Sequence, residues 1–113
     1  MRWLPLALLF ISGLVPRPVQ ARQFLDGNQL LQLCTSEDPY NGLECTGYVK
    51  GVVDAFAFQM DADRQPLCMP AGVTAKQLID VTVKWLEDNS VERGYPAVAT
   101  VGIAIAKKWK CNA

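Results

Sequence analysis

The chain has no histidine, no net charge and no run of basic residues. Without an imidazole there is no Ser-His or Cys-His nucleophile pair, no His-ligated zinc and no histidine base near neutral pH. Eleven basic residues are balanced by eleven acidic ones. Nothing is therefore set out to neutralise a phosphate backbone, and nucleic-acid binding is excluded. Cysteine is scarce as well: the four present include no C-x-x-C pair, which argues against a redox motif or a zinc site. With 113 residues there is room for one domain. Half of the residues are hydrophobic and 19% are charged, a globular composition that excludes a disordered tail, a collagen or a coiled coil.

What is present begins with an export signal. Arg2 supplies a positive start, Leu4 to Val15 an apolar stretch, and Val19, Gln20 and Ala21 a small-residue cleavage site. The stretch is too short to span a bilayer, and Pro5, Pro16 and Pro18 would break a longer helix. Cleavage after residue 21 removes Arg2 and Arg17, leaving one domain over residues 22–113: 92 residues with a net charge of −2. A core of that size buries only about 60 to 65% of the unfolded surface. Four cysteines in so small an exported chain therefore read as a disulfide frame.

The apolar spacing predicts an all-α fold, a small disulfide-stapled bundle of about four helices. The first helix runs from the capping residue Asp26 to Cys34 and the second from about Leu43 to Asp61, with a breaker-rich loop of Pro39, Asn41 and Gly42 between them. On the second, Val49, Val53, Phe56 and Met60 form one apolar stripe at helical spacing. Gly47, Gly51, Asp54 and Phe58 form another. Glycine within a helix costs about 1 kcal/mol against alanine, so the Gly47 and Gly51 pair predicts close approach of a neighbouring helix. The third helix starts at Thr74 with a capping box to Gln77 and runs to about Asn89. The fourth starts at Pro96 as its first residue and ends at Trp109; it is apolar on nearly every side and so central.

Alternating helix directions decide the bridges. Cys34 and Cys45 fall at one end of the bundle, Cys68 and Cys111 at the other. The second helix, roughly 18 residues and 27 Å long, separates the ends by far more than the roughly 6 Å a disulfide spans. The pairing is therefore Cys34–Cys45 and Cys68–Cys111.

No catalytic residue, metal site or cofactor site emerges. Asp54 lies between Val53 and Ala55 on the second helix without a second carboxylate to complete a catalytic pair, and reads as a structural acceptor. The acids Asp61, Asp63, Glu87, Asp88 and Glu92 lack the spacing of a calcium loop. Lys107, Lys108 and Lys110 favour a helix C-terminus.

Two strings carry a resemblance. Cys45, Gly47, Tyr48, Gly51, Asp54 and Ala55 form C-x-G-Y-x-x-G-x-x-D-A, and Cys68, Pro70, Val73 and Thr74 form C-x-P-x-x-V-T about 20 residues later. With Gln77, Leu78, Trp85, Leu86, Arg93, Pro96, Ala97, Trp109 and Cys111, the chain resembles the Tai/Rap immunity proteins from Cys34 to Cys111. The resemblance implies a periplasmic, all-helical, non-enzymatic inhibitor that occludes the active site of a peptidoglycan amidase effector of type VI secretion, commonly as a homodimer. Gly47, Tyr48, Gly51 and Asp54 then read as structural. Recognition is expected in the connection between helices three and four, from Asp88 through Asn89, Ser90, Val91, Glu92 and Arg93 to Tyr95. After signal cleavage no membrane association is expected. A small periplasmic helical chaperone or acid-stress protein is the alternative, and it would need a dissociating apolar dimer surface.

Overall fold

The computed structural model describes residues 23–112; the export signal over residues 1–21 lies outside the described residues. Four helices follow one another: α1 (Gly27–Thr35), α2 (Pro39–Ala62), α3 (Ala75–Asp88) and α4 (Ala97–Lys108), with a short 3-10 turn (Glu92–Gly94) before α4. The described residues form no strand, and their one sheet-like contact is an isolated antiparallel bridge between Asp26 and Pro96. The fold is all-α.

Local chemistry sets each boundary. Asp26 caps α1 by accepting from the Gln29 amide at 2.8 Å, while the Gln29 side chain accepts from the Asp26 amide at 2.9 Å. The same reciprocal box starts α3, between Thr74 and Gln77. Helix α2 begins four residues ahead of the expected Leu43. Pro39 stands in its first turn, and Asp38 Oδ1 caps the Tyr40 amide at 2.9 Å. A proline at a helix start has its φ preset and lacks only a donor that would be unsatisfied anyway. Asn41 and Gly42 therefore belong to the helix rather than to a loop. At α4 the correction runs the other way: Pro96 is the capping residue, in extended conformation, and the helix begins at Ala97. The antiparallel bridge to Asp26 holds Pro96 extended.

The core is built from Leu30 of α1, Cys45, Val49, Val52 and Val53 of α2, Leu78 and Leu86 of α3, and Ala97, Val101, Ala104 and Ile105 of α4. Two threonines are buried among them. Each hydroxyl donates to its own helix, Thr82 to the Leu78 carbonyl at 2.8 Å and Thr100 to the Ala97 carbonyl at 2.7 Å, so neither is left unpaired. In α4 Ala97, Thr100, Val101, Ala104 and Ile105 are buried, while Ala99, Gly102 and Ile103 on another side line an open groove. Tyr48 of α2 lies at the amide of Val98, and Phe56 of α2 at Gly102, so α2 and α4 run parallel. Helix α3 joins the end of one to the start of the other and returns between them. The bridges pair as the alternating directions require, Cys34–Cys45 and Cys68–Cys111, each with 5.1 Å between Cα atoms.

The close approach of helices occurs at a different glycine from the pair expected. A Cβ at Gly102 would stand 2.8 Å from the Phe56 ring. Around Gly47 and Gly51 nothing among the described residues lies within 4 Å of where a Cβ would be, and both are exposed with Asp54. The second stripe of α2 thus faces solvent, and Asp54 is not placed between helices. Phe56 and Met60, beyond the buried part of the first stripe, line an apolar groove of about 330 Å³ between α2 and α4 with Leu67, Ala99, Gly102 and Ile103.

Leu30 is fully buried where α1 meets the other helices. Leu30→Ala is expected to lower unfolding free energy by about 2–5 kcal/mol, measured by denaturant titration with bridges intact. A loss under about 1 kcal/mol would show that α1 does not belong to the core.

Candidate partner-recognition surface

The connection expected to recognise a partner is an ordered structure. Helix α3 ends at Asp88, whose carboxylate pairs with Lys84 at 3.0 Å on the exposed side; such a pair contributes little. Asn89 closes the helix by donating from Nδ2 to the Trp85 carbonyl at 2.8 Å. The chain passes through Ser90 and Val91 into the 3-10 turn, which the Tyr95 amide closes on the Glu92 carbonyl at 2.9 Å. Asp88, Ser90 and Val91 are exposed, and Asn89, Glu92 and Arg93 are half-buried.

Leu25, Gly27 and Asn28, which the sequence does not mark beyond the cap at Asp26 between them, hold this connection from below. The Gly27 amide donates to the Tyr95 carbonyl and the Ala97 amide to the Leu25 carbonyl, both at 2.9 Å. Asn28 Nδ2 donates to the Arg93 carbonyl at 3.2 Å. The two backbones meet so closely that a Cβ on Gly27 would lie 2.7 Å from the Arg93 carbonyl oxygen and 3.0 Å from the Arg93 Cα. Only glycine fits there. The available signal was a glycine directly after a helix cap, a position where side chains are tolerated and glycine has no local purpose.

Arg93 contributes more than its carbonyl. Its Nε is buried without a hydrogen-bond partner among the described residues, an uncommon state for a donor. The Trp85 indole Nε1, at the end of α3, is in the same state.

The predicted structural residues lie elsewhere. Tyr48 is half-buried beneath the start of α4, where burial pushes its phenol above the usual value and the Val98 amide partly offsets that by favouring the phenolate. Gly47, Gly51 and Asp54 line the outer face of α2 and do not converge with the connection. Among the described residues no three His, Cys, Asp or Glu side chains are grouped to hold a metal, and no helix is long and apolar enough to cross a membrane.

The family model described as Rap1a immunity proteins matches residues 26–111, about three quarters of the chain. The matched span begins at the cap of α1 and ends at the last cysteine, so it includes every helix and both bridges. No curated protein and no solved structure matches.

Gly27→Ala tests whether the N-terminal segment positions the connection. The added methyl must push the Arg93 backbone away, at a cost of about 1–3 kcal/mol. Amide exchange at position 27, whose hydrogen bond to Tyr95 would lengthen, should accelerate more than exchange within α2. Unchanged protection and unchanged stability would mean that the connection is not held by this contact.

Proposed function

Since the chain belongs to the Rap1a immunity protein family, and its partner is accordingly a secreted effector, we propose that it is a periplasmic inhibitor of a peptidoglycan amidase delivered by type VI secretion. The export signal and the two disulfides support the compartment, because bridges persist where thiols are not kept reduced. The observation that carries the mechanism is the anchoring of the α3–α4 connection by Leu25 to Asn28. Residues Asp88 to Arg93 stand on a rigid base, so they enter a cleft without first being ordered, and the entropy lost on binding is small. Inhibition is by occlusion: Asn89, Ser90 and Glu92 offer hydrogen bonds to the walls of the cleft, and the half-buried Arg93 offers its charge.

A homodimer belongs to the same reading. The outer face of α2, with Leu43, Gly47, Gly51 and Phe58, has no neighbour at its glycines among the described residues, and a second copy laid there would cover it.

Two measurements test the reading. The mature protein added in equimolar amount should abolish peptidoglycan hydrolysis by its cognate amidase effector, and Arg93→Ala should raise the concentration needed by roughly tenfold or more. Undiminished hydrolysis would refute the immunity function. Sedimentation velocity at micromolar concentration should report a dimer, and Gly51→Arg should return the monomer.

A further inference from the structure

Helix α2 buries one face and leaves the opposite one bare along its length. Cys45, Val49, Val52 and Val53 are buried, whereas Tyr40 is 81% exposed, Leu43 69% and Phe58 77%. At 3.6 residues per turn those three share one stripe with Gly47, Gly51 and Asp54, and Lys50 and Asp61 stand at its edge, all of them exposed. The fold gains little from three large side chains that remain in water. Neither Lys50 nor Asp54 has an ion pair among the described residues.

The order of residues along this stripe matches its own reversal. About the midpoint between Lys50 and Gly51, Leu43 lies as far to one side as Phe58 to the other, Gly47 as far as Asp54, and Tyr40 as far as Asp61. Laid antiparallel on a second copy of itself, the helix sets Leu43 against Phe58 of the other copy and Asp54 where Gly47 leaves room for it. The Tyr40 hydroxyl meets the Asp61 carboxylate, to which it can donate. Lys50 faces Gly51 of the other copy, one turn from its Asp54 and within reach of it. Each contact occurs twice, as an isologous interface requires. A parallel pair would instead set Lys50 on Lys50 and Asp54 on Asp54, and facing like charges disfavour it. An unrelated partner makes no such demand on the order of residues, so the occupant that this face fits is a second copy of the chain.

We propose that two copies associate through the outer faces of α2, antiparallel, about a twofold axis between Lys50 and Gly51. This rests on the homodimer reading and adds to it the direction and register of the pairing. Gly47 and Gly51 are then the residues at the crossing, where the lack of side chains lets two backbones come close. The close approach that they suit is between chains rather than within one.

The experiment is photo-cross-linking of the mature protein with Phe58 replaced by p-benzoylphenylalanine, followed by tryptic mapping of the covalent dimer. Lys50 divides the helix between peptides 23–50 and 51–64, so antiparallel pairing joins 51–64 of one copy to 23–50 of the other. Joining of 51–64 to itself or to a peptide outside α2, or no covalent dimer from a chain that sediments as a dimer, would overturn the register and leave the homodimer standing. A wild-type chain that sediments as a monomer would overturn both. Asp54→Lys should keep the wild-type circular dichroism, since its side chain is exposed, and raise the dimer dissociation constant roughly tenfold or more. Adding Lys50→Glu to it should restore the constant to within about threefold; a double variant no tighter than Asp54→Lys would overturn the pairing of these two residues across the axis.

Discussion

The contact between Gly27 and the backbone of Arg93 is the constraint on which the arrangement of this molecule depends. Helix α1 has only nine residues, too few to hold together in water by its own hydrogen bonds. It is fixed at both ends instead. Its first residue is pressed against the α3–α4 connection, and its eighth, Cys34, is joined to Cys45 of α2. Between these ties Leu30 fills the core. Helix α1 therefore acts as a strap from α2 to the connection, and neither tie replaces the other. Without the bridge its far end is free; without the glycine its near end cannot approach.

That strap divides the molecule into two ends with different physics. At the α1 end, hydrogen bonds and backbone contact fix an irregular segment, and exposed hydrophobic side chains are presented from it. At the other end, the connection between α2 and α3 contains no helix and includes a residue with φ of 59° at Arg64 and a glycine with φ of 88° at Gly72. The exposed Cys68–Cys111 bridge ties it to the end of α4. Cys45, in contrast, is 1% exposed. A reductant reaches the outer bridge first, and its loss loosens the end that carries the apolar groove while α1 stays strapped over the connection.

Much of this was legible from the sequence, and the parts that were not share a cause. Capping boxes at Asp26 and Thr74 could be read because the residues that form them are three apart, and the bridges because helix length alone forbids the alternatives. That α4 contributes Ala97, Val101, Ala104 and Ile105 to the core followed from its lack of a polar face. Periodicity also showed that Gly47, Gly51, Asp54 and Phe58 share a face, but it could not say which face the bundle turns outward, so the close approach was assigned to the wrong glycines. Gly102 was hidden in an otherwise apolar helix, although it is the one that meets Phe56. The role of Gly27 was invisible because its neighbour, Arg93, is 66 residues away and contributes a carbonyl, which has no sequence signature. Pro39 and Pro96 exchanged the roles expected of them for the same reason: proline suits either side of a helix start, and the residue it pairs with decides.

The anchoring of the connection through main-chain atoms bears on how such a protein can change partner. Of the bonds that hold it, those from Gly27 to Tyr95 and from Ala97 to Leu25 are backbone to backbone, and the one from Asn28 ends on the carbonyl of Arg93. None of these three uses a side chain between Asp88 and Tyr95; the side-chain bond made from within the connection is that of Asn89 Nδ2 to the Trp85 carbonyl, which closes α3. Substitutions at Ser90, Val91 or Glu92 therefore alter what is offered to a partner without removing a bond that positions it. The demanding requirements fall on Gly27, Leu30 and the Cys34–Cys45 bridge, which face inward or carry the strap. Separating the residues that hold the loop from those it displays lets recognition vary on a fixed frame, a property that a loop held by its own side chains would lack.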